Sequence, residues 1–258
     1  MASFFIFNSI KITMKELKIF GLRPVIEAIE NKRSIDKVWL VKSSNSKLYS
    51  ELISKLKKNN ISYSLVPKQA LERKFRGKNH QGVFARISPI EIIPIEKMIQ
   101  NTESKKTTPL YLLLDGVTDP RNFGAIIRSA NATSVSGVII CSSSSSPINE
   151  VVVKTSSGAI FNVPISKVNN LKDAIYLLKE NQIEVIGLDQ TGKTPIYDTD
   201  LLNPLAILIG SEEKGISKGI LKTINEKIKI PMTGNIESLN VSVAASIALF
   251  EVKRQRNL

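Results

Sequence analysis

A small basic α/β unit ahead of a larger parallel-sheet α/β domain is predicted by three observations. From residue 110 onward, apolar strand-like runs alternate with helical spacings, the pattern of a parallel sheet covered on both faces. Residues 88–109, SPIEIIPIEKMIQNTESKKTTP, hold three Pro and no steady period, which reads as a linker with room for a short central helix. The charge is one-sided: residues 1–87 carry 18 Lys/Arg and 6 Asp/Glu, whereas residues 110–258 carry 15 basic and 14 acidic side chains. The expected organisation is therefore an extension over 1–14, a small domain over 15–87, a linker over 88–109 and the large domain over 110–258.

In the small unit, Pro24 suits the first turn of a helix running to about Asn31. Val38–Val41 is a short buried strand. Leu48, Leu52 and Leu56 share one face of a helix over Lys47–Asn59. Ile61–Val66 alternates as a strand does, and Gly82–Ile87 reads as another. Between them LERKFRGKNHQG is expected as an exposed loop, with Arg73, Lys74, Arg76 and Lys78 as the first choice for phosphate contact. Phe75 either stacks on a base or anchors in the core.

In the large domain the expected strands are Tyr111–Asp115, Gly137–Cys141, Ile183–Leu188, Leu205–Gly210 and Lys227–Pro231. The expected helices are Phe123–Asn131, Val151–Ser157, Leu171–Asn181 and Leu239–Arg256. Ligands in such sheets bind beyond the carboxyl ends of the strands.

Composition excludes several classes. With 42% hydrophobic residues in 258, the chain can bury a sizeable core. One Cys excludes an internal disulfide framework, and one Cys with one His excludes a conventional Cys/His zinc site. No metal is expected. No apolar run reaches about 18 residues, so no transmembrane helix and no membrane partner are expected. MASFFIFNSIKIT lacks a basic opening and a cleavage site. It reads as an extension, with Met14 an alternative start, and the setting is expected to be cytoplasmic. A basic front third points to a polyanion, most commonly nucleic acid, against the alternative of a Lys-rich coding bias.

Gly187-Leu-Asp-Gln-Thr-Gly192-Lys193-Thr194 matches the phosphate-loop pattern G-x-x-x-x-G-K-[ST]. Such a loop must open directly into a helix whose amides hold the phosphates. Here Pro195 follows, then a segment without helical spacing that ends on Pro204, so nucleotide hydrolysis is rejected. Cys141 ends an apolar strand and reads as a small buried hydrophobe rather than a thiol nucleophile. His80 reads as part of the basic loop or of packing, and Trp39 and Met232 as core or loop packing.

Three segments carry the chemistry. In Leu114–Ala130, Asn122 is positioned to cap a helix, Gly124 allows close backbone approach, and Arg128 follows on the same face. A surface salt bridge is the plainer role for Arg128. In Ile207–Ser217, Gly210 leaves a strand, Glu212 lies beside it and Gly215 closes the loop; Glu212 could equally cap the next helix. In Ile230–Glu251, a strand end leads through a Gly234 loop to Ser238-Leu239-Asn240 at the start of a long helix, where Ser238 or Asn240 could be no more than a cap.

The patterns N122-F-G124-A-I-I-R128, G210-S-E212-E-K-G215 and I230-P-M-x-G234-x-x-x-S238-L-N240-V-S-V-A, in this order, resemble the SpoU/TrmH family of RNA ribose 2′-O-methyltransferases. FGLRPVIEAI (20–29) and NHQGVFARI (79–87) look like the edges of that family's small substrate-binding domain. The arrangement is most similar to the branch that methylates a guanosine in the peptidyl-transferase loop of large-subunit (23S) ribosomal RNA. One departure is Arg23, where that branch often has His in a Tyr-Gly-x-His opening.

The resemblance implies a deep trefoil knot (the SPOUT fold) behind an L30e-like RNA-binding domain. It implies S-adenosylmethionine as methyl donor and a homodimer with the site at its interface. Gly210, Ile230, Met232, Gly234 and Leu239 become the donor-binding positions. Asn122, Arg128, Glu212, Ser238 and Asn240 become the catalytic ones, and Arg23, Arg73, Lys74, Arg76 and Lys78 the RNA contacts. The family's Arg has been assigned as general base. A guanidinium is charged at ordinary pH, so stabilising a developing alkoxide and orienting a phosphate is the physically easier role. Methylation of transfer RNA and a non-catalytic RNA-binding or assembly role are the competing readings.

Overall fold

The computed structural model describes residues 17–257 apart from 34, 43–45, 76–79, 88–89, 106 and 236–237. The front unit runs β1 (Leu17–Phe20), α1 (Leu22–Glu30), β2 (Ile35–Val41), α2 (Lys47–Lys58), β3 (Tyr63–Val66), α3 (Lys68–Lys74) and β4 (Val83–Ile87). Its four strands lie in the order β1-β4-β2-β3. β4 is antiparallel to both β1 and β2, and β3 is parallel to β2. α1 and α2 bury Val25, Ile26, Ile29, Leu52 and Leu56 against one face of this sheet, on Ile19, Val38, Leu40 and Ala85. α3 places Leu71 on the opposite face, against Phe20 and Phe84.

The stretch from residue 90 to 109 is docked, not free. It contains α4 (Ile95–Glu103), and the Ile93 amide donates to the Ile165 carbonyl at 3.0 Å. The large domain follows as β5 (Leu110–Leu114), α5 (Pro120–Ala132), β6 (Gly137–Cys141), α6 (Glu150–Thr155), β7 (Ile165–Val168), α7 (Leu171–Glu180), β8 (Glu184–Leu188), β9 (Thr194–Pro195), β10 (Leu205–Ile209), α8 (Lys218–Leu221), β11 (Glu226–Lys229) and α9 (Val241–Asn257). Among the described residues the sheet has seven strands in the order β7-β6-β5-β10-β8-β11-β9, every neighbouring pair parallel. This is the expected layout of a small mixed sheet followed by a larger parallel one.

β5 shows why the sheet needs helices on both sides. Leu110, Leu112 and Leu114 face the core shared with α5 and α9, while Tyr111 and Leu113 face α4 and α7. All five are buried, so the run reads as uninterruptedly apolar. The two units share one core, with Ile19 and Val25 in the same cluster as Val152 and Ile160. Their contact is tight at Gly158 (φ +87°), where a Cβ would lie 2.4 Å from the Glu27 Cβ. The Arg33 guanidinium sits over the Phe161 ring, 5.6 Å from its centroid.

Two expectations are corrected and one open alternative is decided. Residues 71–74, expected in the loop, belong to helix α3, because Leu71 has an aromatic pocket to fill. Phe75 is an anchor: its ring lies 4.3 Å from Phe84 and 5.1 Å from Phe20, centroid to centroid. α5 begins at Pro120, and its cap is Asp119, whose carboxylate accepts from the Arg121 and Asn122 amides. β1, β7 and β9 are strands that periodicity did not announce. Among the described residues no helix is long and apolar enough to cross a membrane.

Candidate active site

β5 borders both β6 and β10, so the sheet changes winding direction between β5 and β10. A crevice opens at such a switch point, beyond the strands' carboxyl ends. Here the Asp115 amide still donates to the Ile209 carbonyl at 2.9 Å, and beyond it the two following loops part. The Asp115 carboxylate crosses between them, accepting from the Ser217 amide at 2.8 Å.

Two cavities lie at this edge and share one wall, made of residues 211–215 and Val241. The first, about 460 Å³, is lined by Leu188, Asp189, Ile209, Gly210, Ile230, Met232, Ser238 and Leu239. Its size and its mixture of apolar side chains with loop backbone suit a nucleoside-sized ligand. The second, about 510 Å³, is lined by Asp115, Thr118, Asn122, Ser144, Glu212 and Ser217. Gly210 makes the wall possible. A Cβ there would stand 2.0 Å from the Gly215 carbonyl carbon, closer than any side chain tolerates. The Ser211 amide donates to the Gly215 carbonyl and the Gly215 amide to the Ser211 carbonyl, closing the loop on itself.

The wall is tied to two helices. Glu212 Oε1 accepts from Asn240 Nδ2 at 2.5 Å and from the Val241 amide at 3.3 Å. Glu212 thus caps α9, not the helix that follows it in sequence. Asn240 Nδ2 also donates to Asn122 Oδ1 at 3.1 Å, and Asn240 Oδ1 accepts from the Ser242 amide at 2.9 Å. Asn240 is therefore a cap and a bridge at once. Asn122 is not a cap, contrary to expectation. Because Asp119 does that work, the Asn122 amide group is left to meet Asn240.

Gly210, Ile230, Met232, Ser238 and Leu239 meet around the first cavity, whereas Gly234 does not line it and is exposed, with nothing within 4 Å of a built Cβ. Arg128 lines neither cavity; it is exposed on α5 and has no ion pair among the described residues, so the surface salt bridge is not formed. Gly124 behaves as expected, since a Cβ there would overlap Thr155 of α6. Arg23 is exposed in the first turn of α1 and Arg73 near the end of α3. Arg76, Lys78 and the Lys74 side chain lie outside the described residues. His80 Nδ1 accepts from the Gly82 amide at 3.0 Å, shaping the turn into β4.

Asp189 is a wall residue that the sequence reading passed over. It follows β8 and accepts from the Thr191 amide at 2.8 Å and hydroxyl at 2.6 Å. Lys227 Nζ donates to Thr191 Oγ1 at 2.9 Å. Its signal was an acid at the end of a parallel strand, hidden inside the rejected phosphate-loop match. At Thr194 the chain enters β9 and then a single 3₁₀ turn, so that match has no helix to bind phosphate. Cys141 is buried; burial raises its thiol pKa, but hydrogen bonds with Ser143 and Ser144 outweigh this and leave it below its usual value.

The chain is similar to known proteins over most of its length. Residues 109–250 match the SpoU rRNA methylase family model, and residues 18–92 match the model for RNA 2′-O ribose methyltransferase substrate binding. YacO of Bacillus subtilis, assigned to the TrmH family of tRNA/rRNA methyltransferases, is 34% identical over 93% of this chain and 96% of its own. The SpoU methyltransferase AviRb of Streptomyces viridochromogenes superposes with a TM-score of 0.78 at 25% identity, over 93% of this chain and 90% of its own. AviRb solved with its cofactor AdoMet shares the fold at a TM-score of 0.77 and 24% identity, over 93% of this chain and 90% of its own.

Proposed function

This chain belongs to the SpoU rRNA methylase family, and from that premise we propose how it transfers a methyl group from S-adenosylmethionine to a ribose 2′-hydroxyl of RNA. The single observation that carries the reading is the hydrogen-bonded chain Asn122–Asn240–Glu212, which ties the wall between the two cavities to both flanking helices.

The first cavity is the donor site. Leu188, Ile209, Ile230 and Leu239 offer apolar walls for an adenine ring, and the glycine-closed loop at Gly210 offers backbone groups. When bound there, S-adenosylmethionine supplies a sulfonium methyl that needs no further activation. The second cavity takes the substrate ribose. Asn122 and Glu212 hold the hydroxyl at the shared wall, and Asn240 holds those two side chains in register. Glu212 commits Oε1 to Asn240 and Val241, which leaves Oε2 to receive the hydroxyl proton as the oxygen–methyl bond forms and the sulfur–methyl bond breaks, its electron pair staying on sulfur as a neutral thioether. Ser238 lines the donor side.

Arg128 acts from a second copy of the chain. Val243 and Phe250 are exposed at 45% and 52%. They lie seven residues apart, on one face of α9. The adjoining helix α5 meets α9 through Ser129 and Ser246, whose hydroxyls are 2.7 Å apart, and Arg128 is the residue before Ser129. A homodimer formed on this face covers the apolar stripe and carries Arg128 toward the partner's substrate cavity. There its charge stabilises the developing alkoxide and holds the adjacent phosphate.

The substrate is a guanosine in the peptidyl-transferase loop of large-subunit ribosomal RNA. The front domain supports ribosomal over transfer RNA, since minimal transfer-RNA members of the family mostly lack a domain of this kind. Mapping 2′-O-methyl sites in RNA from cells with and without the gene tests this. A single lost site at such a guanosine is the expected result. A site lost from transfer RNA instead would overturn the substrate, and no lost site would overturn the activity.

A further inference from the structure

The small sheet has a face that neither cavity uses. Lys18, Arg86 and Lys37 are direct cross-strand neighbours on β1, β4 and β2, in the register Lys18–Arg86 and Arg86–Lys37. They lie on the side away from α1 and α2, because the alternate residues Ile19, Ala85 and Val38 point into the core. Lys18 is exposed, and Lys37 and Arg86 are half-buried. The next row on the same face is Phe20, Phe84 and Trp39, with α3 over its aromatic part. Lys37 Nζ stands 5.6 Å from the centroid of the Trp39 ring, and Trp39 stacks on Phe84 at 4.9 Å.

Like charges placed directly opposite one another destabilise a sheet. Three cations stand abreast here, and Asp36 pairs with the middle one, its Oδ2 3.2 Å from Arg86 Nε. Adjacent strands lie about 4.8 Å apart, so the row spans about 10 Å. A row of that length can meet successive phosphates of one strand. We propose that the row Lys18–Arg86–Lys37, bordered by Trp39, is a track for the phosphodiester backbone of the RNA substrate. The inference rests on RNA being the substrate. It moves the main phosphate contact from the expected residues 73–78 to the sheet face, and Arg73 on α3 extends the same side.

Trp39 is the only tryptophan in the chain, so its emission reports on this face. The test titrates an RNA hairpin with a single-stranded loop into the full-length protein, following both anisotropy of a labelled RNA and Trp39 emission. Lys18→Gln/Lys37→Gln is compared with Lys57→Gln/Lys58→Gln, which removes the same charge from the exposed end of α2. The row variant is expected to bind about tenfold more weakly, and its log–log salt slope to flatten by about 1.4, the single-strand value for two lost phosphate contacts. The control should bind within twofold of wild type, and RNA should change Trp39 emission at saturation. The row variant's Tm should be unchanged or raised, since its change relieves repulsion. Equal weakening by both variants, wild-type affinity of the row variant, or silent Trp39 emission at saturation would each overturn the track. The methylation reading fails separately: it falls if wild-type protein binds RNA through the row yet transfers no methyl group, and it stands if transfer persists while the row variant binds normally.

Discussion

Replacing Asn240 by Asp separates its two roles. Its Oδ1 caps α9 through the Ser242 amide, and its Nδ2 bridges Glu212 and Asn122. Asp keeps the cap and adds a favourable charge at a helix N-terminus, but it loses the donor and sets a second carboxylate beside Glu212. Asn240→Ala loses the cap as well, which costs about 1 kcal/mol, or about 3 °C in Tm for a chain of this size. Asn240→Asp should stay within about 2 °C of wild type, because the retained cap and the screened repulsion nearly offset. Activity should follow the donor instead. Losing one preorganised electrostatic contact costs roughly 3 kcal/mol of transition-state stabilisation, about a hundredfold in rate. Transfer of tritiated methyl from S-adenosylmethionine to RNA, measured beside Tm and donor affinity, distinguishes these outcomes. Both variants should be slowed by about a hundredfold, with donor affinity changed less than threefold. An Asn240→Asp enzyme retaining more than half of wild-type turnover would refute the bridge as a working part of the site.

Mixing Arg128→Ala and Glu212→Ala chains, each inactive alone, should restore activity in the heterodimer if Arg128 acts across the interface, and equal mixing with random pairing predicts about a quarter of wild-type turnover per chain. No recovery in the presence of proven heterodimers would place Arg128 and Glu212 in the same subunit's site. Gly210→Ala should abolish donor binding and lower stability by about 3 kcal/mol, because its Cβ would meet the Gly215 backbone at 2.0 Å; calorimetry and a donor titration check both. Glu251 is buried and hydrogen-bonded to Arg254 and Gln255, and the Arg254 bonds hold its carboxyl below the ordinary 4.5. Its contribution to stability is complete at neutral pH and is lost as pH falls below 4.5 through the depressed value. Glu251→Gln should therefore melt lower than wild type at pH 7 and converge with it toward acid. A constant Tm difference across that range would contradict the assignment.

The large sheet was legible because buried parallel strands such as LAILI and YLLL are apolar throughout, and the helices between them keep their spacing. β7, ISKV, was not, because a four-residue edge strand with two polar positions carries almost no pattern. The cap of α5 illustrates a closer miss. Asp119 and Asn122 are both capping types, and Pro120 at the first helical position was the deciding signal. α3 was hidden because one leucine, Leu71, holds it down, and the aromatic pocket under it comes from β1 and β4. The three motif segments named the site, yet nothing in their spacing says that Glu212 reaches forward to the start of α9. Nor could spacing reveal that Arg128 stands outside both cavities. Asp115 and Asp189 were missed because their partners, Ser217 and Thr191, lie in loops whose course is set by tertiary contacts.

Methyl transfer to a defined oxygen is the central claim, and nucleoside mass spectrometry of RNA incubated with the purified protein and deuterated-methyl S-adenosylmethionine tests it most directly. The account predicts label on the ribose of one nucleoside, lost with Arg128→Ala. Label on a nucleobase, or none on any ribosomal or transfer RNA while the donor is bound, would contradict it.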